Sequence, residues 1–189
     1  MFVETRPDWG APFTIVSAPG DGHLAFTTVM RDASPLKKEL GELSPGDTVI
    51  VSGPYGEFTL DEGEEKTGMI AGGIGITPFI SILHDIEGRG LVADAVLLYS
   101  SRRRSDTPYR EKLERLAAAN PNIEVVFTMT DDPDYEGNKG RIDIEITVRG
   151  NSSCHCALAP PSSSTGSCKS FNASSGNRSP NSPGPAPAA

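Results

Sequence analysis

The chain has 189 residues, 37% of them hydrophobic and 22% charged, with a formal net charge of −8, which suits one domain or two small ones around a buried core. No run of about 18 apolar residues occurs, which excludes a membrane-spanning helix, and MFVETRPDWG at the N-terminus has neither a basic nor an apolar leader segment, so the expected compartment is the cytoplasm. All 25 acidic residues fall within residues 1–150 against 15 basic ones, a net of −10, and so acidic a body argues against non-specific nucleic-acid binding.

Residues 12–60 read as β-rich. PFTIVSA, HLAFTTVM and DTVIVSG are short runs of β-branched and aromatic residues separated by Gly, Pro and Asp, and their spacing predicts a small antiparallel barrel or sandwich. Within this part SPLKKELGEL (34–43) predicts a short helix, with Ser34 as its N-cap and Pro35 at the first helical position. GPYGEF (53–58) reads as a tight turn between strands.

From residue 67 to 148 the pattern changes. TGMIAGG predicts a buried strand, and TPFISILHDIEGRG a helix that stops at its glycines. ADAVLLYSS is a second strand, TPYREKLERLAAAN an amphipathic helix, IEVVFTMT a third strand, and GRIDIEI the start of another helix. Strand and helix in alternation imply parallel pairing with right-handed crossovers, a doubly wound α/β layer.

Residues 149–189 hold 11 Ser and 6 Pro with no hydrophobic period, the composition of a disordered tail. All three cysteines, Cys154, Cys156 and Cys168, lie there. Cys-His-Cys with one distant Cys lacks the second ligand pair of a zinc site, so no metal is expected.

The stretch MIAGGIGITP (69–78) carries the chemistry. A strand that ends in glycines and feeds a helix sets backbone N–H groups and a helix N-terminus at the sheet edge where phosphates bind. Gly72, Gly73 and Gly75 allow close approach to a pyrophosphate, and Ile76 completes the turn. Thr77 is placed to cap the helix and offer a hydroxyl, and Pro78 fits its first turn. A plain glycine-rich βα loop is the bland alternative. At the end of the second strand stands YSSRRRSD (99–106) rather than an acidic residue. Ser100 and Arg102 there suit a ribose 2′-phosphate, hence NADP, unless the run is simply a solvated basic loop.

Four segments in order, PFTIVS, GPYGEF, MIAGGIGITP and LLYSSRRRSDTPYREKL, resemble the ferredoxin–NADP reductase family over about residues 2–147. The resemblance implies a β plus α/β fold: a partial antiparallel flavin-binding barrel (1–62), a doubly wound parallel-sheet NAD(P)-binding domain (66–148), and a tail (149–189). It implies FAD and NAD(P)H as cofactors. Phe13 takes the place of the aromatic that packs on the flavin ring. Thr14 takes that of the hydroxyl near the reactive nitrogen, a catalytic position, with Ile15, Val16 and Ser17 continuing the flavin segment. Ser34, Lys37 and the local helix start fit the region that receives the FAD pyrophosphate, as a helix N-terminus with a cation should. Gly53, Tyr55 and Gly56 lie near the flavin and the domain junction, and Thr128 near bound nucleotide.

By the same resemblance the chain is a flavin-dependent oxidoreductase that passes hydride or electrons between NAD(P)H, FAD and an acceptor, either a protein or a small molecule. The alternative is a non-catalytic electron-transfer subunit, or an inactive fragment, that needs a partner chain to complete the barrel. The family pattern is broken in three places. Ala11 stands where an Arg usually meets the pyrophosphate, leaving Arg6 or Arg31 to substitute. The first two or three barrel strands have no counterpart. The final Cys-Gly-Pro-Pro-like strand is replaced by CHCALAPPSSSTG. Codons for CHCALAPP read two bases over are compatible with L-C-[AV]-G-P-P, so residues from about 148 onward are expected to be a frameshifted reading of the family's C-terminus. Sequencing the gene should reveal one insertion or deletion near that codon that restores the motif; no such indel would overturn the expectation.

Overall fold

The structure, a computed structural model, describes residues 1–6, 9–30, 34–60, 66–91, 94–142, 153–156 and 168–174. The first half contains β1 (Phe2–Arg6), β2 (Trp9–Pro12), β3 (His23–Val29), α1 (Pro35–Glu42) and β4 (Ile50–Ser52). β1 pairs antiparallel with both β2 and β4, giving a three-stranded sheet of order β2-β1-β4. Its inner face presents Val3, fully buried, to Met1, Phe26, Leu36 and Leu40. Leu36 and Leu40 are four apart and therefore share one face of α1, while Lys38 and Glu42 point outward. Pro35 opens the helix as expected, but the Ser34 side chain makes no capping bond. Lys38 N–H donates to the Ser34 carbonyl at 3.1 Å, the first bond of the helix.

PFTIVSA does not form the expected strand. Only Pro12 belongs to β2, and a single bridge joins Ile15 to Phe26. The cause is packing: the segment leaves its sheet so that Val16 can enter the core of the second half. Its polar backbone is met singly, by Phe13 N–H on the Met1 carbonyl and Val16 N–H on the Ala25 carbonyl, both 2.8 Å.

The second half contains β5 (Lys66–Gly72), α2 (Thr77–Arg89), β6 (Asp94–Ser101), α3 (Arg110–Ala119), β7 (Ile123–Met129), β8 (Asn138–Lys139) and β9 (Ser153–Cys156). They build a parallel sheet of order β8-β7-β6-β5-β9. Phe79, Ile80, Leu83 and Ile86 recur at helical spacing and bury one face of α2 against Met69, Ala71, Leu97 and Tyr99. Gly90 ends α2 in the left-handed conformation, φ 61°, a backbone state that glycine adopts without strain. α3 starts at Arg110 rather than Thr107, because Tyr109 turns left-handed, φ 59°, just before it.

Inside the Ser/Pro-rich tail two short strands are described. β9 extends the parallel sheet beside β5, and β10 (Cys168–Ser174) pairs antiparallel with the whole of β3, from Cys168↔Val29 to Ser174↔His23. The helix expected from GRIDIEI lies outside the described residues from 143 onward; Gly140–Ile142 are not helical.

Leu83→Ala, which empties a fully buried position in α2, is expected to cost about 2–5 kcal/mol. Urea unfolding should show a lower midpoint with an unchanged slope.

Candidate functional site

The order of the parallel strands locates the site. From β5 the chain crosses to β6 and β7 on one side, and later returns to place β9 on the other. The strand order therefore reverses at β5, and open α/β sheets bind ligands beyond the carboxyl end of the strands at such a point. In this chain that end is Gly72.

Gly73–Ile76 then make one tight 3-10 turn into α2, with Gly73 at φ 50°. A Cβ built on Gly72 or Gly73 would meet nothing within 4 Å, so the turn offers bare backbone to open space. Its inward side is fully committed. Ile76 is wholly buried, and the Thr77 hydroxyl donates to the Ile74 carbonyl at 3.1 Å. This corrects the expectation for Thr77. The 3-10 turn moves the N-cap position to Ile76, and Thr77 becomes the first helical residue, while Pro78 sits in the first turn as expected.

Sequence reasoning missed the residue that holds this turn. Tyr99, completely buried on β6, donates its hydroxyl to the Gly73 carbonyl at 2.9 Å and lies 3.2 Å from that of Pro108. A Tyr near the end of a strand carries no such signal in one dimension.

Around the ends of β6 and β7, Ser100 is half-buried and Arg102 exposed. The Ser101 hydroxyl is buried and has no partner among the described residues. Thr128 is buried, its hydroxyl donating to the Gly140 carbonyl at 2.8 Å. Arg103 donates through Nε to the Asp131 carbonyl at 3.1 Å, and Arg104 N–H donates to the Asp132 carboxylate at 2.8 Å. Beside them opens a cleft of about 590 Å³ lined by Arg104, Asp132, Asp134, Tyr135, Glu136 and Gly137. The Arg110 guanidinium stacks over Phe127 and Tyr135, 5.2 and 5.8 Å from their centroids.

On the antiparallel half, Phe13 packs its ring on Phe26, centroids 4.6 Å apart, while Thr14 is exposed and Ile15 half-buried. Ser17 is buried, its hydroxyl accepting Ala25 N–H at 3.0 Å. Lys37 donates to the Val29 carbonyl at 2.8 Å. Arg31 lies outside the described residues. Arg6, the other substitute for the missing Arg, pairs with Glu39 at 2.9 Å and stacks over Trp9. Gly53 and Gly56 adopt φ 124° and 92° in a turn that leaves Tyr55 68% exposed.

Several contacts join the halves, among them the Phe58 ring set edge-on to Phe79 with centroids 5.4 Å apart. Val16 enters the α/β core, and Ser81 Oγ donates to the Ser17 carbonyl at 2.7 Å. His84 Nδ1 stands 3.5 Å from the Asp21 carboxylate, near enough for an ion pair but without hydrogen-bond geometry. The Tyr109 and Thr27 hydroxyls bond to each other.

A parallel sheet with an open glycine turn at its switch point, docked on an antiparallel half, is the layout of a two-part nucleotide-binding fold. Known proteins agree. Residues 69–158 match the oxidoreductase NAD-binding domain. Ferredoxin–NADP reductase B of Sorangium cellulosum is 33% identical over 140 residues, 71% of this chain and 56% of that protein. NADH-cytochrome b5 reductase 2 of Mycosarcoma maydis is 27% identical over 142 residues, 73% of this chain and 41% of that protein. A ferredoxin NADP+ reductase from Neisseria gonorrhoeae, solved with bound FAD and NADP, superposes with a TM-score of 0.61 at 23% identity, covering 76% of this chain and 58% of that one. The chain is thus similar to ferredoxin–NADP reductases and cytochrome b5 reductases, and it spans about half the length of the curated relatives it matches.

Tyr99→Phe keeps the buried ring but leaves the Gly73 and Pro108 carbonyls without their donor, an expected loss of about 1–3 kcal/mol. Tyr55→Phe, on an exposed ring, should stay within about 0.5 kcal/mol. Parallel urea titrations of the two variants check the contrast.

Proposed function

We propose that the chain is a flavin-dependent oxidoreductase, passing electrons between NAD(P)H, FAD and an acceptor. The observation that carries this reading is the open glycine turn at the reversal of strand order, fixed to the half that presents Thr14. Gly72, Gly73 and Gly75 would take the dinucleotide pyrophosphate on backbone N–H groups at the start of α2. Ser100, Arg102 and Thr128 surround the ends of the next two strands, where the adenosine portion belongs.

The residues of the antiparallel half also suit a flavin. Thr14 and Tyr55 face outward with a hydroxyl and an aromatic ring, and the Ser34 hydroxyl is not used as a helix cap. When bound, the flavin supplies the hydride acceptor and the electron donor to a second partner. What the protein adds is alignment. Val16 and the Ser17–Ser81 bond hold Thr14 in fixed relation to the glycine turn, the kind of positioning on which such transfers depend. Cytoplasmic location belongs to this proposal. No helix among the described residues is long and apolar enough to cross a membrane.

A second reading is an electron-transfer subunit that needs a partner chain. It is favoured by the sheet β2-β1-β4, whose outer strands β2 and β4 have no further partner strand among the described residues. One experiment separates the two. FAD is added to the purified chain, the excess is removed by gel filtration, and NADH or NADPH is added without oxygen. Retained flavin whose visible band bleaches supports the oxidoreductase. Flavin lost on the column points to the subunit, and a retained flavin that neither nucleotide bleaches overturns hydride transfer.

A further inference from the structure

The loop after β6 carries Arg102, Arg103 and Arg104. In a doubly wound sheet, the end of the second strand meets the adenosine ribose of a bound dinucleotide, and cations there suit a 2′-phosphate. In this structure a second loop has already claimed that position. The chain following β7 folds onto the arginine loop and zips to it. Thr130 N–H donates to the Ser101 carbonyl and Asp131 N–H to the Arg102 carbonyl, each at 2.9 Å. Arg104 N–H is held by the Asp132 carboxylate at 2.8 Å. Arg103 donates to the Asp131 carbonyl at 3.1 Å, and its Nη2 lies 3.5 Å from the Asp131 carboxylate.

The charges follow the same pattern. On these two loops and the adjoining β8, Arg102, Arg103, Arg104 and Lys139 are offset by Asp106, Asp131, Asp132, Asp134 and Glu136. The Arg104 side chain lines its cleft together with three of those carboxylates. A dianionic 2′-phosphate would have to compete with Asp131 for Arg103 and stand beside Asp132, whereas a neutral ribose 2′-hydroxyl can donate to either carboxylate.

We infer that this clamp makes the chain select NADH over NADPH, with Asp131 and Asp132 as the residues that set the selectivity. The inference rests on the dinucleotide site proposed above.

Calorimetric titration of the full chain with NAD+ and NADP+ tests it without needing flavin. The unmodified chain should bind NAD+ about tenfold more tightly, the scale of one unfavourable charge contact. Asp131→Asn keeps the backbone carbonyl that holds Arg103 but removes the competing charge. Asp132→Asn keeps an oxygen for Arg104 N–H. Each should narrow the preference about three- to tenfold, chiefly through tighter NADP+ binding, and 0.5 M salt should narrow it in the unmodified chain by screening. Equal or tighter binding of NADP+ by the unmodified chain overturns the inference while leaving the dinucleotide site intact, as does a preference that neither variant moves. If neither nucleotide binds, the proposed site itself fails and the inference falls with it.

Discussion

Val16 leaves the antiparallel half and enters the hydrophobic core of the other, where it is 7% exposed beside Met69, Ile76 and Phe79. The rest of the arrangement follows from that insertion. Val16 cannot be in a sheet and in that core at once, so residues 13–18 run as an isolated extended segment held by single hydrogen bonds. Three residues earlier, Phe13 packs into the small core around Phe26. Thr14, between two residues drawn into different cores, is left facing outward at the junction.

The glycine turn shows a comparable division between inner and outer faces. Its groups that can be satisfied internally are: Ile76 by burial, the Thr77 hydroxyl by the Ile74 carbonyl, and the Gly73 carbonyl by Tyr99. The outer face is left with backbone and open space, and Gly73 supplies the positive φ that a side chain would resist. The anion site proposed on this turn needs donors held still before the ligand arrives, since ordering them on binding costs affinity. The buried Tyr99 hydroxyl provides that rigidity from a strand 26 residues away in sequence.

The regular α/β half was legible because its signals are local. Apolar runs mark β5, β6 and β7, helical spacing marks α2 and α3, and the Gly-rich turn sits between β5 and α2. What escaped were effects decided by distant partners. PFTIVSA has the composition of a strand, and only the pull of another core on Val16 prevents it. Thr77 and Ser34 look like caps, yet a 3-10 turn takes one hydroxyl inward and the other makes no capping bond. The arginine run reads as basic along the chain, but a loop 28 residues further on supplies its carboxylates. Composition reports charge by position, whereas a ligand meets charge by proximity.

The Ser- and Pro-rich tail makes the same distinction for the backbone. Its side chains show no hydrophobic period, so nothing in it announces a strand. Pairing, however, is made by main-chain groups, which any residue but proline carries in full. Among the described residues β5, the strand that bears the glycine turn, has β6 on one edge and β9 on the other. Among the described residues β3 has an isolated bridge to Ile15 apart from β10. An edge strand exposes a row of donors and acceptors whose demand is indifferent to side-chain polarity. The edges of β5 and β3 therefore select for extended, proline-free stretches, and the two described parts of the tail, SCHC and CKSFNAS, contain no proline.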